Sequence, residues 1–194
     1  KAVWKLLTCG IKLNCMRKLL LLAVLIAIFI DSNAQRRARR RIALIPVPVS
    51  IVENNNSGVF ILPETINIIV PKNTEVKKIA GLFAAQIEAP TGYKTIIKEG
   101  KSLLPKSIFF SLTTDKTIPD EGYKLKITRT GITLSARKPA GIFYGVQTLL
   151  QLLPSGITSK KELDYDEWDV PAVTIEDHPR FGWRGLMLDV SRHF

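Results

Sequence analysis

Apolar and polar residues alternate with a period of two along two neighbouring stretches of the chain, 122–128 and 131–136. A period of two is that of a strand with one face buried and the other in water. Arg129 and Thr130, followed by Gly131, favour a tight turn between the two stretches. The pattern predicts an antiparallel hairpin with its apolar side chains on a core.

Two other stretches repeat apolar residues at intervals of three and four, which is typical of helices with one buried face. The first predicts a helix capped by Asn73 or Thr74 and running to about Glu88. The second predicts a more apolar helix from Pro139 to about Leu153. Both helices need an apolar surface to pack on, and a sheet is the surface that the remaining pattern offers.

Runs rich in β-branched and apolar residues predict the remaining strands. These runs are 58–62, 66–70, 93–98, 107–112 and 173–175. Pro46 and Pro48 confine the extended segment 44–52 to a sheet edge or a surface run. The fold class is therefore α+β: over 44–177, a mixed sheet of six or seven strands is covered by two helices.

The net charge of +11 is a first indication of a nucleic-acid partner, but its distribution argues against one. Residues 1–41 hold ten Lys and Arg and one acidic residue, whereas 42–194 hold eighteen Lys and Arg and sixteen acidic residues. A nucleic-acid-binding domain carries its basic patch on the folded part. Here the folded part is close to neutral, so we expect no nucleic-acid partner.

Residues 1–34 have the pattern of a secretory signal preceded by upstream residues. Two basic residues lead into the unbroken apolar run 19–30, and small residues ending in Ala34 follow it. This order predicts cleavage after Ala34 and export to a bacterial periplasm or cell exterior. A run of twelve apolar residues is shorter than the about 20 that a membrane-spanning helix needs.

An uncleaved N-terminal anchor is the alternative, and the arginines of the basic linker 35–43 favour it. Contact with a membrane is expected only in that case. Both cysteines, Cys9 and Cys15, precede the methionine at position 16. If translation starts there, the mature chain has neither a disulfide nor a cysteine metal site.

The end of the chain has the pattern of a buried parallel strand. Arg184 and Gly185 lead into the apolar run 186–188, which polar residues follow at once. Functional side chains commonly lie at the carboxyl ends of such strands. Because no second strand follows, and because the chain does not begin with Met, we expect a fragment: one domain, then the first strand of another over 178–194.

Arg184 is the candidate with two interpretations. A guanidinium near a buried strand needs partners, because an unpaired buried charge is costly. Its partner is either an acidic side chain in a structural salt bridge or the oxygen atoms of a ligand, for which the Arg fork is well suited. Ligands of barrels gather at the carboxyl ends of strands, and Arg184 precedes most of its strand.

Other polar residues are assigned no chemistry. His178 is interpreted as a surface or hinge histidine, and no metal is predicted from it and His193. Glu176 and Asp177 point to opposite faces of a strand, so they cannot flank one glycosidic bond. A cluster of acidic residues near Trp168 lacks the spacing of a calcium loop and predicts a solvated loop. The cluster is Asp164, Asp166, Glu167 and Asp169.

Two stretches together carry a resemblance to a known family. They are AGIFYGVQTLLQLLP over 140–154 and IEDHPRFGWRGLMLDVSRHF over 175–194. They resemble glycoside hydrolase family 20, the β-N-acetylhexosaminidases, over roughly 44–194. The first stretch resembles the second helix of that family's accessory domain, and the second resembles the entry into its (β/α)8 TIM barrel.

The resemblance implies an exported enzyme that hydrolyses terminal, non-reducing β-linked N-acetylglucosamine or N-acetylgalactosamine. It implies a retaining mechanism in which the substrate's acetamido oxygen attacks the anomeric carbon, an exception to the usual two-carboxylate scheme. The general acid Glu and its Asp partner are expected downstream, so the fragment holds no catalytic residue and is predicted to be inactive. No cofactor is implied, and the expected partner is a glycan or amino-sugar oligosaccharide.

By the same resemblance, Arg184 matches an arginine that hydrogen-bonds hydroxyls of the terminal sugar. Asp189, Arg192 and His193 match the motif and are expected to shape the strand end. The alternative function is a non-catalytic carbohydrate-binding or interaction module. The placing of Phe83, Phe143 and Tyr144 at core spacing on helices, rather than in an exposed aromatic row, counts against it.

Overall fold

The computed structural model describes residues 42–53, 58–165 and 167–187. The described residues belong to a compact unit that begins at Ile42. The predicted signal, most of the basic linker, and Asp166, Asp189, Arg192 and His193 lie outside the described residues. Among the described helices, none has the length and apolar character needed to cross a membrane.

The described chain forms nine strands and two α-helices, with a short 3-10 helix at Ser155–Thr158. The strands are β1 Ser50–Glu53, β2 Val59–Ile61, β3 Thr65–Val70, β4 Lys94–Glu99, β5 Ser107–Leu112, β6 Tyr123–Thr128, β7 Gly131–Ala136, β8 Asp169–Pro171 and β9 Val173–Asp177. The helices are α1 Thr74–Thr91 and α2 Pro139–Leu152. The predicted helices, the hairpin and the edge position of the proline-rich segment are thereby confirmed.

Seven strands form one mixed sheet in the order β1-β9-β6-β7-β5-β3-β4. β3 pairs in parallel with β4 and β5, and β5 pairs in parallel with β7. The hairpin β6–β7 and strands β1 and β9 complete it with antiparallel pairs. Parallel neighbours need long crossovers, and α1 supplies the crossover between β3 and β4.

Both helices cover the same face of this sheet. Phe83 of α1 lies 6.0 Å from Phe110 of β5, measured between ring centroids. Phe110 is the register partner of Leu134 in β7, and Leu134 contacts α2 at Gly145. Register partners point to the same side of a sheet, so the core lies between one helical layer and one sheet face. On β6 the opposite face is polar, with Lys124 and Lys126 exposed.

The ends of α1 follow the rules of helix capping. The Asn73 side chain accepts a hydrogen bond from the Val76 amide at 3.0 Å, as the N-cap prediction requires. The helix passes through Pro90 and ends at Thr91, about one turn beyond the predicted end. Gly92 then adopts a left-handed conformation, with φ 67°, which is the usual role of glycine after a helix.

A second, two-stranded sheet joins β2 and β8, with Phe60 opposite Val170. The interpretation of the acidic cluster near Trp168 as a solvated loop is wrong at its last member, because Asp169 lies in β8 and pairs with Ile61. Alternation with a period of two cannot be recognised in a strand of three residues. The side chain of Trp168, just before β8, is 1% exposed.

The described part of the predicted barrel strand is not a strand. Arg184 to Met187 have no regular secondary structure, and Leu186 and Met187 are both 92% exposed. A buried parallel strand forms only between neighbouring strands that pair with it. The residues that would extend it, 188–194, lie outside the described part of the chain.

Two glycines bring α2 close to the hairpin. A Cβ atom at Gly141 would lie well inside contact distance of the Gly122 carbonyl oxygen and 2.8 Å from the Ala136 Cβ atom. A Cβ atom at Gly145 would overlap the Leu134 side chain. The helix therefore packs on β6 and β7 at a separation that only glycine permits at these two positions.

We expect Gly141→Ala to destabilise the domain by about 1–3 kcal/mol, because the added methyl group overpacks against backbone that cannot move aside. Urea unfolding followed by circular dichroism measures this change. Gly81→Ala on α1 is the matched control, since no atom lies within 4 Å of a Cβ atom there. Gly81→Ala should be neutral or stabilising, and equal losses in both variants would contradict this account of the packing.

Tyr123 is a buried polar group at the start of β6. Its phenol oxygen and Thr148 Oγ1 are joined by a hydrogen bond of 2.5 Å, and the phenol donates to Asp177 Oδ2 at 3.4 Å. Burial raises the pKa of Tyr123 to about 12, with a further increase from Asp177. The ordinary value is 10.0, so the fold favours the neutral phenol.

A pKa raised in the folded state contributes stability that is complete below pH 10.0 and is lost as the pH rises toward about 12. Tyr123→Phe has no ionisable group at this position. We therefore expect the difference in free energy of unfolding between wild type and Tyr123→Phe to narrow over that interval, as measured by urea unfolding. A difference that stays constant would mean that folding does not change the pKa of this phenol.

Candidate functional site

Arg184 lies on the exposed segment that follows β9 and contacts the surface next to α2. Its Nη2 atom is 2.6 Å from Glu121 Oε2 and donates to the Tyr144 hydroxyl at 3.2 Å. Its Nη1 atom donates to the Phe181 carbonyl oxygen. The guanidinium carbon lies 6.0 Å from the centre of the Tyr144 ring, within the range of a cation–π interaction.

The acidic partner of Arg184 comes from a turn that faces several cations. Gly122 donates its amide to the Pro119 carbonyl at 2.9 Å, which closes a turn containing Asp120 and Glu121. Asp120 forms salt bridges with Lys138 at 2.5 Å and with Arg137 at 3.1 Å. This turn lies against the start of α2, because the Gly122 carbonyl is the atom that approaches Gly141.

The electrostatics of the cluster favour its charged forms. A hydrogen bond from Lys138 lowers the pKa of the Asp120 carboxyl. The hydrogen bond to Glu121 raises the pKa of the Arg184 guanidinium, with a smaller contribution from Tyr144. The side chains of Arg184 and Glu121 are 42% and 40% exposed. Exposed pairs of this kind contribute little to folding stability, so the salt bridge with Glu121 can be exchanged for another partner at little cost.

The structure thus differs from the expected surroundings of Arg184. The expected buried strand is an exposed segment, and the guanidinium pairs with Glu121 rather than with an acidic group inside another domain. Sequence reasoning missed both partners. Glu121 is 63 residues away in the chain. Tyr144 packs against the hydrophobic core as its spacing predicts, but it is only partly buried, and its hydroxyl is free to reach Arg184. Phe143, also placed at core spacing, is 41% exposed.

A groove of about 540 Å³ lies at the end of α1, beside residues 162–165. We call it the Tyr165 groove. Side chains that line it include Tyr93, Glu162, Leu163, Asp164, Tyr165 and Trp168. The Leu163 amide donates to the Pro90 carbonyl at 2.9 Å, which ties this segment to the last turn of α1. No sequence motif marked this groove, because its two walls are about 70 residues apart in the chain.

The sequence assigns no chemistry to His178, Glu176 and Asp177. His178 is exposed, as a surface histidine should be. Glu176 pairs with Lys124, whereas Asp177 accepts from the Val49 amide at 3.2 Å and from Tyr123. Across the described ranges, no group of three or more His, Cys, Asp and Glu side chains is placed to hold a metal ion.

Comparison with known proteins identifies the class of domain that this fold represents. A sequence model described as glycosyl hydrolase family 20, domain 2, matches residues 41–178. That match covers well over half of the chain. The chain therefore belongs to glycosyl hydrolase family 20, and 41–178 is its domain 2.

Named relatives agree with this family. The chain is 37% identical to a β-hexosaminidase of Porphyromonas gingivalis over 153 residues, which is 79% of this chain and 19% of that protein. It is 31% identical to a β-N-acetylhexosaminidase of Cellulomonas fimi, again over 79% of this chain and 29% of that protein. The chain thus spans between a fifth and a third of the length of these relatives.

A solved structure agrees with the fold. The N-acetyl-β-hexosaminidase of Streptomyces plicatus, in complex with Thio-NAglucal, superposes with a TM-score of 0.69 at 35% sequence identity. The superposition covers 78% of this chain and 29% of the Streptomyces chain. The predicted mixed α+β domain with two helices is confirmed by the fold itself and by this relative.

Proposed function

We propose that this chain is part of an exported β-N-acetylhexosaminidase, a glycoside hydrolase of family 20. The enzyme would remove terminal β-linked N-acetylglucosamine or N-acetylgalactosamine from glycans with retention of configuration. The observation that carries this proposal is the match of 41–178 to domain 2 of a glycosyl hydrolase family, joined to relatives named as hexosaminidases.

In this proposal, domain 2 supports a catalytic (β/α)8 barrel that begins after Asp177. Neither general acid nor its Asp partner is assigned within the described residues. The substrate's acetamido oxygen would act as the nucleophile, so the enzyme would supply proton transfer and charge stabilisation. The sugar hydroxyls would be recognised by Arg184, whose five N–H donors suit a pair of adjacent oxygen acceptors.

For Arg184 to bind a sugar, its guanidinium must be able to leave Glu121. The exposure of both side chains supports this, since the pair is open to water and to competing acceptors. The same geometry makes the alternative testable. If Arg184 acts only through the salt bridge, removing the Glu121 charge should have the same effect as removing the guanidinium.

We expect Arg184→Ala to lower kcat/KM for an aryl β-N-acetylglucosaminide about a hundredfold or more, because hydrogen bonds to a charged donor contribute about 1.5–3 kcal/mol each. The assay uses protein expressed from a coding sequence that includes the barrel. The kcat/KM of Glu121→Gln should stay within about threefold of wild type, because an exposed ion pair contributes little.

Arg180→Ala is the matched control, since Arg180 is an exposed arginine of the same segment with its guanidinium 5.9 Å from the Phe181 ring. Equal losses of kcat/KM in Arg184→Ala and Glu121→Gln would mean that Arg184 acts only through its salt bridge with Glu121. A well-folded wild-type protein that does not cleave the aryl substrate would overturn the hexosaminidase proposal itself.

Export is the second part of the proposal, and it rests on the charge and apolar pattern of 1–34. We expect the protein recovered from the periplasm or medium to begin at Gln35. N-terminal sequencing by mass spectrometry measures this. A mature protein that retains the apolar run 19–30 and sediments with membranes would instead establish the uncleaved anchor.

A further inference from the structure

The Tyr165 groove has the form of a binding site that the family assignment does not use. Its volume, about 540 Å³, lies within the range typical of small-molecule sites. Aromatic side chains and carboxylates both line it. The described residues that line it all belong to domain 2.

Two aromatic side chains of the lining pack against each other. The ring of Tyr165 lies 4.6 Å from the ring of Trp168, with an angle of 31° between their planes. Trp168 is 1% exposed, whereas Tyr165 is 40% exposed. Stacking on a buried tryptophan fixes the orientation of the tyrosine ring before any ligand arrives, and pre-organisation of this kind reduces the entropic cost of binding.

Glu162 and Asp164 supply the lining with exposed hydrogen-bond acceptors. The carboxylate of Glu162 occupies the space beside Gly92 where other residues carry a Cβ atom. Gly92 follows the last residue of α1, so Glu162 lies at the negative end of the helix dipole, where an anion is disfavoured. Within the part of the chain that the structure describes, neither Glu162 nor Asp164 forms a salt bridge.

We propose that the Tyr165 groove binds one pyranose ring of a glycan. The apolar face of the sugar would lie on the Tyr165 ring, and its hydroxyls would donate to Glu162 and Asp164. A pyranose presents both an apolar C–H face and several donors, which is the combination that this groove complements. The proposal rests on the groove alone and holds whether or not the whole protein is a hexosaminidase.

The test is a titration of the 194-residue chain with a tetramer of β-1,4-linked N-acetylglucosamine, followed by NMR. Backbone amides of 162–165 and the indole N–H of Trp168 are expected to shift in a saturable way at up to millimolar ligand. Tyr165→Ala should weaken binding about tenfold, because an aromatic anchor at the centre of a site carries much of its affinity. Tyr165→Phe should bind like wild type, since it keeps the stacking ring.

Two further variants complete the design. Asp164→Asn should weaken binding by a smaller factor, because it exchanges a charged acceptor for a neutral one. Phe143→Ala is the matched control, an aromatic side chain of equal exposure on α2 that does not line the groove, and it should leave binding unchanged. The proposal is wrong if a folded wild-type chain shows no saturable shifts, or if Tyr165→Ala binds as tightly as wild type.

Discussion

Two glycines about one turn apart allow the backbone of α2 to rest directly on the β6–β7 hairpin, with Gly141 against the Gly122 carbonyl and Gly145 against Leu134. This short separation puts the apolar side of α2 in contact with the sheet. The same layer includes α1, whose Phe83 packs on Phe110. Because interiors are close-packed, a change at either glycine would be felt throughout this core.

The same packing positions the polar groups around Arg184. The turn that ends in Gly122 lies between the start of α2 and the start of β6. Asp120 and Glu121 are therefore placed close to both the start of α2 and the segment after β9. The guanidinium of Arg184 therefore contacts domain 2 beside the close approach of α2 to the Gly122 carbonyl. Its contacts there are exposed and exchangeable, which is compatible with a second partner for this arginine.

The end of α1 forms one side of the Tyr165 groove. The left-handed Gly92 ends the helix, and residues 162–165 cross this end and are tied to it through the Pro90 carbonyl. Trp168 fills the space beneath and supports Tyr165 from below. The result is an open groove lined in part by aromatic side chains, in a domain that the family model identifies only as domain 2.

Local rules were sufficient for much of this domain. Period-two alternation identified the β6–β7 hairpin, spacing of three and four identified both helices, and the cap of α1 was narrowed to Asn73 or Thr74. Each of these signals depends on residues a few positions apart. The three-residue strand β8 carries no such signal. Its pairing with β2 depends on contacts across more than 100 residues.

The sequence by itself determined the fold class, the two helices and the family to which the chain belongs, since apolar periodicity and a conspicuous motif are properties of contiguous residues. Only the tertiary structure decided that Arg184 pairs with Glu121, that Phe143 is largely exposed, and that Tyr165 and Glu162 share a groove with Tyr93. These relations depend on which face of a helix meets the sheet and on which distant segments the sheet order brings together. Packing in three dimensions determines these contacts, and no local pattern of residues predicts them.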